Sequence, residues 1–314
     1  MTLTRLAVSL VLAVAAFSLL TVWRAASREA AVEAAFPPIG QFVTVSGLRL
    51  HYEMSGTGPD LVLIHGASGN LRDWTFSFRD QLTDRYRVIV IDRPGLGYSD
   101  AAPEVSLAAQ VRVIRDAMAA LGVTDPIVVG QSYGGAVALA WALDDGPGPS
   151  PRALVLIGAA SMPWPGKLGI WYRLTSTRLG RALAGSLVSA YMPDSALRNL
   201  TAKVFAPAPV PPGYADYVGA GLGLRRATLS INTAQVNGLR AELEAKVPRS
   251  PDLTLPIALI HGNADTIVPL EIHARPLSKL LPNATLTVLD GAGHMPHHTH
   301  PKAVIAAIDR LALR

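Results

Sequence analysis

The chain has 314 residues, half of them hydrophobic and only 16% charged, which excludes an intrinsically disordered protein and leaves room for a sizeable buried core. There is no cysteine, so disulfides, thiolate metal sites and a cysteine nucleophile are excluded. The 28 Lys and Arg exceed the 23 Asp and Glu by only five, too modest and dispersed an excess to argue for a nucleic-acid partner.

Near the N-terminus, residues 6–23 form an 18-residue run without charge, interrupted only by Ser9, Ser18 and Thr21 and bounded by Arg5 and Arg24. As a helix it would be about 27 Å long, close to the hydrocarbon thickness of a bilayer. The competing reading is a cleaved signal peptide, which would give a secreted or periplasmic protein. Its apolar region would be long, however, and no clean small-x-small site follows before Pro37 and Pro38. The expectation is therefore a membrane anchor and linker over residues 1–35, followed by one domain over residues 36–314. Orientation stays open, because Arg5 on one side faces Arg24 and Arg28 on the other.

Beyond residue 40 short apolar, β-branched runs alternate with helical patterns, the pattern of a doubly wound, mostly parallel α/β sheet. Residues 41–45 and 48–53 alternate faces around Ser46-Gly47 and predict an antiparallel hairpin. Four continuous runs, at 61–64, 88–91, 127–129 and 153–157, predict buried parallel strands, and two more follow at 257–260 and 284–289. After the sixth strand, residues 161–251 are broken repeatedly by proline and carry no strand-like run, which predicts a helical cap. The cap holds 11 Lys and Arg against four acids. That charge reads either as a solvated helical face or as a surface held against anionic lipid, with Trp164, Trp171 and Tyr172 suited to an interface or a pocket roof.

Gly130-Gln131-Ser132-Tyr133-Gly134 is a G-x-S-x-G sequence between a predicted strand and a predicted helix. In that context the flanking glycines permit a strained turn that presents the Ser132 hydroxyl above the sheet. A serine nucleophile needs a base, itself oriented by a carboxylate. His294, between the last strand and the last helix, is the best placed of the eight histidines, and Asp265 follows the strand at 257–260. No acid follows the preceding strand, where Gly158-Ala159-Ala160-Ser161 stands instead.

With Ser132, Asp265 and His294 in that chain order, the sequence resembles the α/β-hydrolase fold family, in its capped serine-hydrolase branch. The resemblance implies an α/β-hydrolase fold with the cap inserted after the sixth strand, Ser132 as nucleophile, Asp265 as acid and His294 as general base. His65-Gly66-Ala67-Ser68-Gly69 resembles the family's H-G-x loop, so the amides of Ala67 and Tyr133 would form the oxyanion hole, with His65 buttressing the loop. Asp92 to Ser99 resembles a D-x-P-G-x-G-x-S turn, which we read as structural, with Asp92 accepting backbone amides. Asn70 is a candidate substrate contact. His297, His298 and His300 fit no standard metal spacing and have no carboxylate nearby in sequence, so no metal and no cofactor are expected.

A serine at the elbow disfavours epoxide hydrolase and haloalkane dehalogenase activity, which in this family use an aspartate there. The expectation is a membrane-anchored, carboxylesterase- or lipase-like hydrolase of an apolar acyl ester, with membrane contact through the N-terminal helix and the basic cap. The alternatives are a carbon–carbon bond hydrolase of the meta-cleavage type and a non-catalytic ligand receptor on the same fold.

Overall fold

The structure is a computed structural model that describes residues 3–313. Its centre is one eight-stranded sheet built from β1 (Gln41–Val45), β2 (Leu48–Ser55), β3 (Asp60–Ile64), β4 (Arg87–Ile91), β5 (Ile127–Gln131), β6 (Ala153–Ile157), β7 (Ile257–Gly262) and β8 (Ala284–Leu289), in the order β1-β2-β4-β3-β5-β6-β7-β8. β1 pairs antiparallel with β2 and β2 with β4, and the remaining neighbours are parallel. Strands β5 and β6 are buried at every position, which is why they read as continuous apolar runs rather than alternating ones.

The chain begins with helix α1 (Leu3–Ala35), long and apolar enough to cross a membrane. At about 1.5 Å per residue it is roughly 50 Å long, so its last dozen residues extend beyond a hydrocarbon layer. The sheet is flanked by α2 (Arg72–Thr75), α3 (Leu107–Ala120) and α4 (Tyr133–Ala142). Between β6 and β7 come α5 (Ile170–Leu174), α6 (Arg178–Tyr191), α7 (Asp194–Phe205), α8 (Tyr214–Tyr217) and α9 (Arg226–Lys246), with no strand among the described residues of this insertion. Helices α10 (Ala274–Leu280), α11 (Pro296–Thr299) and α12 (Pro301–Ala312) complete the fold.

Two apolar layers cover the sheet. One face packs Val62, Ile64, Val128 and Leu156 against α3, α4 and residues such as Val236 and Leu239 of α9. The other packs Leu61, Val90 and Val129 against Trp74, Phe78 and the Val304 and Ile308 positions of α12. Both layers leave the carboxyl ends of the parallel strands free to carry loops, the place where such sheets hold their ligands.

The second half of α1 is docked on the cap. Glu29 accepts from the Arg226 backbone amide at 2.7 Å and from its guanidinium through both oxygens at 2.9 Å. Burial raises its pKa, yet the hydrogen bonds and charge of Arg226 win and hold it below the usual carboxylate value. Arg24 donates to Ala190 O at 2.8 Å, Arg28 to Met192 O at 2.9 Å, and Glu33 pairs with Arg225 at 2.9 Å. The residues after the apolar run are thus a helical stalk fixed to the cap.

Candidate active site

Ser132 lies between β5 and α4 with φ 54° and ψ −119°, a backbone conformation that costs a non-glycine residue about 1–3 kcal/mol. The strain is held from three sides: Ser132 N donates to Ile157 O at 2.9 Å, and Ser132 O accepts from Gly135 N at 3.0 Å and Ala160 N at 3.1 Å. The two glycines of the motif are explained by close approach. A side chain on Gly130 would strike the backbone of Gly134, and one on Gly134 would strike the carbonyls of Ile64 and His65. The elbow and the loop after β3 are therefore in direct contact.

That loop carries Ala67, next to Gly66, whose own side-chain position is filled by Gln131 and Ser132 Cβ. The amides of Ala67 and Tyr133 donate no hydrogen bond among the described residues. Both sit beside the elbow, and the Tyr133 amide is also the first of α4, where the helix dipole favours negative charge. His65 is buried beneath them, its Nδ1 2.8 Å from Gly66 O and its Nε2 accepting from Arg93 N at 3.0 Å. Burial, reinforced by the Arg93 charge, pulls its pKa down to about 4, so it is a neutral buttress.

His294 Nδ1 donates to Asp265 Oδ2 at 2.7 Å, and both residues are buried. Asp265 Oδ1 accepts from the amides of Ile267 and Val268, each at 2.9 Å. His261, which motif reading passed over, puts its Nε2 3.5 Å from Asp265 Oδ2 and 2.7 Å from Val268 O. Burial pushes the Asp265 pKa up, but the hydrogen bonds from His261 and His294 outweigh it and hold the carboxyl ionised, below its ordinary value. Gln131 Nε2 donates to His294 O at 3.1 Å, which ties the histidine loop to the residue before Ser132. No hydrogen bond joins the Ser132 hydroxyl to His294 or to another of the described residues; the elbow and the histidine loop are tied instead through Gln131.

Arg93, His273 and Asp73 join His261 among the buried polar residues that motif reading did not single out. Arg93 is 0% exposed and pairs with no carboxylate among the described residues. Its guanidinium donates to His65 O at 3.0 Å, Gly66 O at 3.1 Å, Gln110 Oε1 at 2.7 Å and Gln235 Oε1 at 3.0 Å, and lies 4.3 Å from the centre of the Tyr133 ring. It thereby clamps the loop of Ala67, the ring of Tyr133 and cap helix α9 to one rigid fork, and burial lowers its pKa to about 10. Asp92 does accept backbone amides as expected, from Leu71 at 2.7 Å and Tyr98 at 2.8 Å, and also pairs with His51 Nδ1 at 2.6 Å. His273 is buried, accepts from the Ser161 and Met162 amides at 3.2 Å, and is held neutral with a pKa near 4, chiefly by burial.

Asp73 brings a correction. His297 and His298 do have a carboxylate partner: Asp73, distant in sequence, accepts from His297 Nε2 at 3.1 Å, His298 Nε2 at 2.8 Å and Tyr214 Oη at 2.7 Å. Ligand atoms, one each from Asp73, His297 and His298, lie within 4.8 Å of one another, a metal-like grouping. The Nδ1 atoms of both histidines are buried without a partner, however, so a metal on the Nε2 atoms would leave two buried N–H groups unbonded. The cluster fits three hydrogen-bond donors around one carboxylate, linking α2, α8 and α11. Asn70, the candidate substrate contact, is largely engaged by the protein. Its Oδ1 accepts from Arg72 N and its Nδ2 donates to Val218 O, both at 2.9 Å, so it joins loop to cap.

A cavity of about 530 Å³ lies between α1, α6 and α7, lined by residues such as Arg28, Val32, Arg198 and Arg225, with neither Ser132 nor His294 in its wall.

Known proteins agree with this architecture. The chain is 29% identical to 2-hydroxymuconate semialdehyde hydrolase of a Pseudomonas species over 84% of this chain and 90% of that one. Among solved structures, an esterase from Exiguobacterium antarcticum superposes with a TM-score of 0.70 at 22% identity, covering 87% of this chain and all of that one. A membrane phospholipase A superposes with a TM-score of 0.64 at 24% identity over 99% of both chains. The family described as alpha/beta hydrolase fold matches residues 59–301, from the start of β3 to the start of α12, and the chain belongs to it.

Proposed function

We propose that the protein is a membrane-anchored serine hydrolase that cleaves carboxylic esters of apolar acyl groups. The observation that carries this reading is the strained Ser132 elbow beside a buried, hydrogen-bonded Asp265–His294 pair. The Asp265 carboxylate fixes the proton on His294 Nδ1, which leaves Nε2 as the base. Nε2 takes the Ser132 hydroxyl proton as Oγ attacks the ester carbonyl. The oxyanion is received by the amides of Ala67 and Tyr133, each worth about 3 kcal/mol in such a site. The same proton then passes to the departing alcohol, and a water molecule activated by His294 releases the acid from Ser132. No metal or cofactor is required by this chemistry.

Anchoring is supported by α1. Its apolar length suits a bilayer, and its second half holds the cap through Arg24, Arg28, Glu29 and Glu33. Removal by a signal peptidase would discard those contacts. The esterase and membrane phospholipase A with the same fold are in keeping with an apolar ester as substrate.

Carbon–carbon hydrolysis is the second reading, favoured by the likeness to 2-hydroxymuconate semialdehyde hydrolase. Labelling of the full-length protein by a fluorophosphonate is the first test. Wild type should label and Ser132→Ala should not, with turnover reduced at least about a thousandfold. Labelling retained in the variant would refute Ser132 as nucleophile. Labelling without hydrolysis of any ester, but with cleavage of a dienone, would transfer the assignment to the second reading.

A further inference from the structure

We propose that the outward face of α5 and α6 is a membrane-contact surface, seated in an anionic phospholipid leaflet beside α1. This deepens the anchored-hydrolase reading and rests on α1 spanning the bilayer.

Helix α6 is turned inside out for a helix in water. It buries Gly185, Ser189 and Ala190 and exposes Leu179, Leu183 and Leu187 at 69%, 60% and 44%. A spacing of four places these leucines in one stripe that ends at Tyr191. Helix α5 extends the apolar surface with Ile170 and Leu174, both exposed, while its neighbours Leu168 and Tyr172 pack inward on the core. A contiguous apolar surface of this kind marks a contact with another apolar phase.

Three observations identify that phase as lipid. The stripe is continuous with the anchor: the Tyr191 ring stacks on Phe17 with centroids 6.0 Å apart, and its hydroxyl lies 3.1 Å from Thr21 Oγ1. Phe17 is six residues inside the end of the uncharged run, about 9 Å along the helix, so the Tyr191 ring of α6 reaches into the hydrocarbon near its edge. The charge is also one-sided. Residues 153–193 contain no Asp or Glu, yet this stretch carries Lys167, Arg173, Arg178 and Arg181. The ion pairs of the cap are made elsewhere, by Arg225, Arg226, Arg240 and Arg249. Basic residues beside an apolar face suit anionic headgroups above acyl chains. A second copy of the chain is a poorer occupant, because a twofold contact on this face would bring its cations against their own copies with no acid between them.

The absence of cysteine allows single labelled sites in the full-length protein. Val14→Cys in the anchor, Leu183→Cys in the stripe, Leu187→Cys as a second stripe position and Lys279→Cys on exposed α10 would each carry an environment-sensitive nitrobenzoxadiazole probe. The variants are reconstituted into phosphatidylcholine vesicles with and without phosphatidylglycerol, with doxyl-labelled lipid as quencher. The proposal predicts blue-shifted emission and loss of fluorescence to doxyl lipid at 14, 183 and 187, deeper at 183 and 187 with phosphatidylglycerol, and neither at 279. Quenching at 14 with positions 183 and 187 behaving like 279 overturns the proposal and leaves the anchor standing. No quenching at 14 overturns the anchor and the proposal together. Positions 183 and 187 shielded from lipid, with self-quenching between labelled chains, would replace lipid by a second copy.

Discussion

Asp265 binds two backbone amides and His294 at once, so its carboxylate has one orientation and imposes one on the imidazole. Asp265→Asn keeps the shape and removes the acceptor that selects the tautomer. The expected result is a fall in kcat of about 10⁴ with little change in KM; turnover near wild type would mean that another acid orients the base. Arg93 acts one step further away, by holding the His65 and Gly66 carbonyls and the Tyr133 ring. Arg93→Met should lower kcat about a hundredfold through a displaced amide while KM changes less, and Arg93→Lys should not restore it, because one ammonium cannot replace the planar fork. Equal losses in kcat/KM and in thermal stability, both rescued by lysine, would reduce Arg93 to a packing role. Residues of the first kind were legible in sequence because each sits at a fixed offset from a strand end. Arg93 and Asp73 were not, since their partners lie far along the chain: Gln235 is 142 residues from Arg93, and His297 is 224 from Asp73.

Among elements, the turn from β5 to α4 is the most constrained. Gly134 packs its α-carbon on the carbonyls of Ile64 and His65, so Gly134→Ala must push apart the elbow and the loop that carries Ala67. We expect destabilisation of at least about 1–3 kcal/mol, read as a lower denaturation midpoint, together with loss of fluorophosphonate labelling. An alanine variant with wild-type stability and labelling would contradict the packing described. All eight strands were legible, because buried parallel strands leave unbroken β-branched runs and the Ser46-Gly47 turn fixes the first hairpin. The cap was legible as helical, but not its individual helices or the faces they present. The leucines of α6 recur at a spacing that normally signals a core-facing stripe, and only the three-dimensional arrangement reveals that they face outward. The stalk was hidden for a related reason: residues 24–35 look like a charged linker, and their charges find partners only when the cap is folded beside them.

The molecule as a whole buries neutral histidines. His65, His273 and His297 all have pKa values drawn down to about 4, mainly by burial, whereas an unfolded histidine titrates near 6.5. Between those values the unfolded chain binds about three more protons, so stability declines as pH falls from about 6.5 toward 4. Asp73 and Asp265 are held below their ordinary values, Asp73 by His297 and His298 against its burial; their contribution is complete above the carboxylate range and is lost below it. The denaturation midpoint of the full-length protein should therefore be clearly lower at pH 5 than at pH 7.5, and an unchanged midpoint would contradict the buried neutral histidines.

The most direct test of the central claim is hydrolysis of a p-nitrophenyl ester series, from acetate to palmitate, by the full-length protein in detergent micelles with Ser132→Ala beside it. The account predicts serine-dependent turnover with an optimum at a medium or long acyl chain. Turnover that persists in Ser132→Ala, or its absence across the whole series in a protein that is folded and labelled, would contradict it.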